Sequence, residues 1–522
     1  MLAESLLAEF SSTPMLDYAR PEAEAGLREA IERVRSKFGA TYPLVIGGKR
    51  ITTQETFQSK NPANPSEAVG SFSKATVEHV SEAVAAADKA FQSWSQTTPT
   101  ARAEVILKAA EILRRRRHEM NATMILEVGK SWGEADGDTA EAIDFLEFYA
   151  REMIRWGGPH PLVPNPGEKN DLLYIPLGVG VVIPPWNFPC AIAMGMTAAT
   201  LVTGNSAILK PSSDAPLTAW KIFEILEEAG VPPGVLTFLS GPGGVIGDAL
   251  VEHPRVRFVA FTGSMEVGIG INERAARVPK GQIWLKRAIL EMGGKDFTIL
   301  DEDADLAAGV EGVYQGAFGF QGQKCSACSR AIVHEKIYDE FVERLRERTE
   351  KTVIGPPENR EVFLGPVVSA RAEKTILEYM EIGKGEGRRI TGGGKHSGPG
   401  YFLQPTVFAD VKPSARIAQE EIFGPVLAVI RARSFEEAVG IANGTIYGLT
   451  GAYYSRDRAK VEEAKRRLYV GNLYLNRKCT GALVGIHPFG GFNMSGTDSK
   501  AGGRDYLGLF LQAKSIAEYT GS

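Results

Sequence analysis

The sequence predicts an α/β fold with two doubly wound domains and a small β element that belongs to neither. Three observations carry this. Short apolar runs alternate with helical segments from residue 178 to residue 264, a second series of the same kind opens at LEMGGKDFTIL, and two strand-like segments stand outside both. Strand, helix, strand units require crossover helices, which pair the strands in parallel and cover both sheet faces. A chain of 522 residues has room for two or three domains.

The early elements are helices. In ATVEHVSEAVAAADKAFQSW, Val80, Ala83, Val84, Ala87, Phe91 and Trp94 fall at helical spacing, and Thr76 is placed to cap the start. A second helix begins near Thr100 and ends in the run Arg114 to Arg117. Glu111, three and four residues before Arg114 and Arg115, makes that run a solvated, ion-paired face and not a nucleic-acid patch. GVGVVIPP, SAILKP, GVLTFLSG and RFVAFTGS then read as buried strands, separated by helices at 190–203, 215–230 and 244–252. Such sheets bind ligands at the carboxyl ends of their strands. In the second series IYDEFVERLRERTEKT and SFEEAVGIANG read as helices and GNLYLNR as a strand. The Pro- and Gly-rich segment 155–176 reads as a protruding hairpin and LFLQAKSIAEYT as a terminal strand. Exposed strand edges often pair between subunits, which predicts a homo-oligomer.

Composition excludes several classes. Hydrophobic residues at 43% and charged residues at 23% match a soluble globular enzyme, and a net charge of -4 supplies no attraction to nucleic acid or an anionic membrane. The most apolar window, CAIAMGMTAATLV at 190–202, falls short of the roughly 18 residues a membrane span needs and reads as a buried helix. Acidic residues from Glu4 onward and the lack of a long apolar run argue against a leader peptide. Four cysteines, at 190, 325, 328 and 479, are too sparse for a secreted disulfide framework, so a reducing compartment, the cytoplasm, is expected. VGKS at 128–131 and GGGK at 392–395 have Met124 and Arg389 where a phosphate loop needs glycine. DEDADL at 301–306 lacks the central glycine and last glutamate of a calcium loop, and the seven histidines are scattered, so no metal is expected.

FGFQGQKCSACSR, 318–330, holds the most reactive side chain in the barest backbone. A thioredoxin-type pair would open a helix early in a small domain, and a zinc ribbon would need a second Cys-x-x-C. Gly319, Gly322, Ser326 and Ala327 leave space for a carbonyl to approach Cys325 and the neighbouring amides, which favours one nucleophile with Cys328 a bystander. A thiol-disulfide oxidoreductase using both cysteines remains the alternative of a different class.

GQKCSA, EMGGK (291–295), PPWNFP (184–189), LKPS (209–212), FTGS (261–264), EEIFGPV (420–426) and PFGGF (488–492) together resemble the NAD(P)-dependent aldehyde dehydrogenase superfamily, in the family's order along nearly the whole chain. The resemblance implies an NAD(P)-binding domain at 1–154 and 177–289, a catalytic domain at 290–503 and an oligomerisation element at 155–176 and 504–522. It implies Cys325 as nucleophile, Asn187 with the Cys325 N–H as oxyanion donors and Glu291 as general base, with Lys295 left structural. The dinucleotide would meet Pro185, Trp186, Lys210, Ser213, Gly243, Gly247 and the strand end Phe261, Thr262, Gly263 and Ser264, with Glu421 and Phe423 on the nicotinamide ribose. Many NAD-specific relatives carry glutamate where Ser213 stands, so NADP is expected beside NAD.

KCSACSR, NRKCTGALVGIHPFGGF and the lead into YPLVIGGKRI narrow the resemblance to the branch that oxidises L-glutamate γ-semialdehyde, formed from 1-pyrroline-5-carboxylate in proline catabolism, which links it to a proline dehydrogenase. Thr480, Gly481 and Ala482 offer consecutive small residues whose amides can hold a carboxylate, Ser326 adds a hydroxyl, and Phe188 and Phe489 would flank the aliphatic chain. Succinate semialdehyde is the alternative substrate of the same class.

Overall fold

The computed structural model of the chain describes residues 9–521, so the leader reading around Glu4 lies outside the described residues. The first series forms a seven-stranded sheet in the order Arg287–Glu291, Val256–Thr262, Val179–Ile183, Ser206–Leu209, Leu236–Phe238, Leu44–Ile46 and Lys49–Ile51. Its first five strands are parallel, and the last two add an antiparallel edge. The chain moves outward from Val179–Ile183 through two strands and then returns to the other side of it. That reversal opens a crevice at the carboxyl ends of Val179–Ile183 and Val256–Thr262. PPWNFP and FTGS extend from those two ends. Val181 and Val182, adjacent and fully buried, enter separate hydrophobic cores on opposite faces, which is why the run reads as continuously apolar.

The second sheet runs Arg388–Thr391, Thr406–Ala409, Val426–Ala432, Cys328–His334, Asp296–Leu300, Thr450–Tyr454 and Asn472–Leu475, parallel except at Arg388–Thr391. LEMGGKDFTIL is split between the sheets: Arg287–Glu291 is an edge strand of the first, and Asp296–Leu300 is central in the second. The carboxyl-end rule therefore serves only half of the crevice. The Cys325 turn, Lys295 and Glu421 all lie just before their strands, so the second sheet meets the first with its amino ends.

Segment 155–176 is not a hairpin in itself. Glu168–Pro176 pairs antiparallel with Leu511–Tyr519 over nine residues, so its partner comes from the far end of the chain. A three-stranded sheet of Thr41–Tyr42, Asn64–Ser73 and Thr56–Asn61 was not foreseen. Helix Ala191–Val202 is almost wholly buried, and among the described residues no helix is long and apolar enough to cross a membrane.

The arginine run differs from expectation. Helix Pro99–Arg115 stops at Arg116 and a new helix, Arg117–Val128, begins, so the four side chains diverge. Arg114 pairs with Glu147, and Arg115 and Arg116 pair with Glu228, in place of Glu111. Arg117 turns inward to Asp136, its Nε 2.7 Å from Oδ1.

Candidate active site

The nucleophile turn is built by strain and held by two glutamines. After helix Leu306–Phe318 the backbone passes through Phe320 at φ 48° and Gln321 at φ 58°, left-handed conformations that cost on the order of 1–3 kcal/mol each for non-glycine residues. Gln321 offsets this from inside the core: Nε2 donates to the carbonyls of Gly129 and Pro366 at 3.0 and 2.8 Å, and Oε1 accepts from the Gly365 N–H at 3.1 Å. Gln323 Oε1 accepts from Val368 N–H at 2.9 Å. Gly322 is required by close approach, since a Cβ there would stand 2.4 Å from the Gly424 carbonyl. Beyond the turn Cys325 and Ser326 line a cavity of about 560 Å³.

The two cysteines part here. Cys328 is buried at the head of strand Cys328–His334, and its thiol donates to Thr298 Oγ1 at 3.2 Å. Cys325 lines the cavity and Cys328 does not, so the two thiols do not share that site.

Burial drives the Cys325 thiol well above its ordinary range, and the carboxylates of Asp296, Glu421 and Glu291 push the same way. The resting sulfur is therefore a thiol that needs a base. Glu291 ends strand Arg287–Glu291, paired in register with Thr262, which brings it to the same cavity. Burial raises its carboxyl to about 7, against the Ser499 hydroxyl that donates to Oε1. Among the described residues its Oε2 has no hydrogen-bond partner, so one oxygen is positioned and the other is available. Gly490 and Gly496 form the cradle: a Cβ at either would lie 3.0 or 3.3 Å from the Glu291 Oε1 oxygen.

Asn187 is buried after strand Val179–Ile183, and Nδ2 donates to the Gln323 carbonyl at 3.1 Å. An amide NH2 has two donors, so one bond aims the group and the other remains for an oxyanion. The next residue, Phe188, lines the cavity and lies under a lysine that sequence reasoning missed. Lys130, fully buried, has Nζ 4.1 Å from the Phe188 ring centroid, 4.2 Å from that of Phe320, and 3.4 Å from Asp138 Oδ2. Asp138 Oδ1 in turn accepts from the Ala191 N–H at 2.7 Å. One ammonium thus joins the Asn187 loop to the Cys325 turn.

Three quoted motifs interlock. Glu421 Oε1 accepts from the Gly294 N–H at 2.9 Å, and a Cβ on Gly293 would lie 2.1 Å from Oε2. A Cβ on Gly294 would lie 2.5 Å from the Cys325 carbonyl. EMGGK is bare because EEIFGPV and GQKCSA both press against it. Phe423, at φ 57°, meets Trp186 edge-on at 5.4 Å across the crevice. Lys295 is buried with no hydrogen-bond partner for Nζ among the described residues, and burial lowers it to about 7.

The expected dinucleotide residues gather at one edge of the first sheet. Pro185, Trp186, Lys210, Ser213, Gly243, Gly247, Gly263 and Ser264 all follow the carboxyl ends of its parallel strands, while Phe261 and Thr262 line the cavity itself. The residues fit a dinucleotide. Lys210 is buried, pushed down to about 8, and donates to the Pro211 carbonyl at 3.1 Å, leaving two donors for hydroxyls. Ser264 caps helix Met265–Ala275, accepting from Val267 N–H at 3.4 Å. At Gly243 and Gly247 a Cβ would meet nothing within 4 Å, so bare backbone faces open space. Gly263 differs: a Cβ there would strike the Phe261 ring at 2.5 Å, so its bareness serves packing as well as any phosphate.

Across the cavity stand Thr480, Gly481, Ala482 and Phe489. Arg477, also missed, donates from Nη2 to the Thr480 and Gly481 carbonyls, both at 3.0 Å. Those two bonds use the loop's carbonyls and not its N–H groups. The Cys479 thiol donates to the Ser326 carbonyl at 3.5 Å, tying this loop to the nucleophile. Glu141 lines the same space, its carboxyl raised by burial to about 8. No sequence signal marks it beyond an acidic residue on a helix.

The aldehyde dehydrogenase family model matches residues 50–516. A 1-pyrroline-5-carboxylate dehydrogenase of Geobacillus sp. (strain WCH70) is 54% identical over 513 residues, covering 98% of this chain and 100% of the relative. The crystal structure of 1-pyrroline-5-carboxylate dehydrogenase from Thermus with bound NAD superposes with a TM-score of 0.97 at 52% identity, over 98% of this chain and 100% of that one. Proline utilization A (PutA) from Bdellovibrio bacteriovorus also superposes with a TM-score of 0.97, at 43% identity, with 98% of this chain covering 53% of that one.

Proposed function

The chain belongs to the aldehyde dehydrogenase family, and on that premise we propose that it oxidises L-glutamate γ-semialdehyde, the open form of 1-pyrroline-5-carboxylate, to L-glutamate with NAD. The observation that carries the reading is the single cavity shared by Cys325, Glu291 and the loop Gly481–Ala482. It sets a thiol, a base and a row of amides around a molecule with an aldehyde at one end and a carboxylate at the other.

Glu291, titrating near neutrality, accepts the thiol proton as Cys325 attacks the aldehyde carbon. The oxyanion that forms is held by Asn187 Nδ2 and the Cys325 N–H; one such donor is worth about 100- to 1000-fold in rate. NAD, when bound, supplies the acceptor for the hydrogen that the adduct loses with its electron pair, leaving a thioester. Once that first proton has passed to solvent, Glu291 takes a second from the water that attacks the thioester carbonyl, and the tetrahedral adduct collapses to the acid as the Cys325 thiolate leaves. The amides of Gly481 and Ala482 with the Ser326 hydroxyl hold the α-carboxylate, and Phe188 and Phe489 flank the chain. Glu141 lines the same cavity, and its carboxyl, raised by burial to about 8, offers an oxygen acceptor to the substrate ammonium, a group that succinate semialdehyde lacks.

Lys210 would hold the adenosine ribose of a bound dinucleotide, Ser264 its pyrophosphate, and Glu421 with Phe423 its nicotinamide ribose, supported by the free donors of Lys210 and the Ser264 cap at a helix start. Exposed Ser213 presents no carboxylate to a 2′-phosphate, so NADP enters beside NAD. The reading extends to a homo-oligomer that uses the edges of Glu168–Pro176 and Leu511–Tyr519, to a cytoplasmic enzyme, and to a proline dehydrogenase as supplier, supported by the similarity to half of PutA. Mixing the protein with NAD and racemic pyrroline-5-carboxylate should produce NADH, with NADP and succinate semialdehyde as parallel arms. NADH from succinate semialdehyde alone would overturn the substrate assignment.

A further inference from the structure

The cavity has a wall that the family model does not reach. Residues 10–18 carry no regular structure, precede the matched span of 50–516, and contribute Thr13 and Met15 to the cavity lining. Met15 lies over helix Trp132–Trp156, where a Cβ at Gly137 would meet its methyl at 3.7 Å. We propose that this segment is a specificity strap, closing the outer side of the substrate cavity and covering the Asp144 carboxylate so that an acidic aldehyde can enter.

The strap is gripped by its backbone. Asp144 Oδ1 accepts from the Thr13 N–H at 2.8 Å, and Asp136 Oδ2 accepts from the Leu16 N–H at 2.7 Å. Arg117, the inward member of the arginine run, donates to the Pro14 carbonyl at 2.9 Å while holding both oxygens of Asp136 at 2.7 and 2.8 Å. Asn121 donates to Asp136 and to the Tyr18 hydroxyl, both at 2.9 Å. Hydrogen bonds to charged groups are the stronger kind, and the strap's own N–H groups, those of Thr13 and Leu16, both donate to carboxylates that burial would otherwise penalise. At its start, Phe10 meets Phe148 edge-on at 5.3 Å, and a Cβ at Gly485 would lie 3.1 Å from Phe10. Gly485 is three residues beyond Ala482, so the strap also backs the loop read as the carboxylate anchor.

Its electrostatic part follows from Asp144, which itself lines the cavity. With the strap seated, the Thr13 N–H occupies that carboxylate. With the strap gone, the carboxylate would be uncovered toward solvent and the cavity, where it would repel a substrate carboxylate.

The inference rests on the substrate reading above, and the test separates the two. A chain lacking residues 1–16 and the full-length Phe10→Ala/Thr13→Pro variant are assayed with glutamate semialdehyde, propanal and octanal, alongside binding of NAD by fluorescence. Both variants should raise KM for glutamate semialdehyde at least tenfold, leave that for propanal within twofold, improve kcat/KM for octanal severalfold and leave NAD affinity unchanged. Adding Asp144→Asn to the shortened chain should recover most of the lost affinity for the acidic aldehyde, which a merely structural role would not produce. An unchanged ratio among the three aldehydes, or no recovery with Asp144→Asn, overturns the strap. If the unaltered chain ignores glutamate semialdehyde, the substrate reading fails, and the propanal to octanal ratio still decides whether the strap walls the cavity.

Discussion

Replacing Lys130 by methionine tests whether one buried ammonium holds the catalytic halves together. The side chain keeps its length and its contact with the rings of Phe188 and Phe320, but loses the charge 3.4 Å from Asp138. Asp138 then keeps its bond from the Ala191 N–H and loses its counter-ion, in a site where burial already raises its carboxyl. Removing one partner of such a pair costs about 3–5 kcal/mol, whereas neutralising both is often close to neutral. Lys130→Met should therefore unfold at markedly lower urea, and Lys130→Met/Asp138→Asn should recover to within about 1 kcal/mol of the parent. Activity should not follow stability. A desolvated cation over an aromatic face is worth about 2 kcal/mol, and Phe188 adjoins the oxyanion donor Asn187, so the double variant should still acylate about 10- to 100-fold more slowly. Stopped-flow measurement of the NADH burst isolates that step. A double variant with the parent's burst rate, or a single variant with the parent's stability, would refute the argument.

Three further outcomes follow from the site. Cys325→Ala should abolish dehydrogenase turnover, while Cys328→Ala, buried against Thr298, should retain it; a dead Cys328→Ala in a folded protein would return the paired-thiol reading. Because burial raises the Glu291 carboxyl to about 7, its basic form is lost as pH falls through that value. Turnover should drop roughly tenfold per unit below it, and Glu291→Gln should remove that limb and slow both the NADH burst and steady-state turnover. Ala482→Pro deletes one amide donor; a hydrogen bond to a charged group is worth about 1.5–3 kcal/mol, so KM for glutamate semialdehyde should rise about 10- to 150-fold and that for a neutral aldehyde little. Equal effects on both would count against the anion loop.

Local pattern carries far in this protein. The alternation of GVGVVIPP, SAILKP, GVLTFLSG and RFVAFTGS with helices determines a parallel sheet, because buried strands must be apolar on both faces and parallel neighbours need crossovers. A bare backbone around Cys325 and the ordered motifs likewise pointed to one thiol, one base and one dinucleotide edge. What the sequence could not contain is distance. That Gly293 is bare for Glu421, that Gly322 is bare for the Gly424 carbonyl, and that Arg117 leaves its run to hold Pro14 all depend on segments far apart in the chain. Lys130 and Glu141 look like ordinary charged residues until folding removes water from around them, and Arg477 until folding sets it against the Thr480 and Gly481 carbonyls. Periodicity is a property of neighbours along the chain, and so it is written there; desolvation and convergence are properties of the packed interior, and only the tertiary structure decided them.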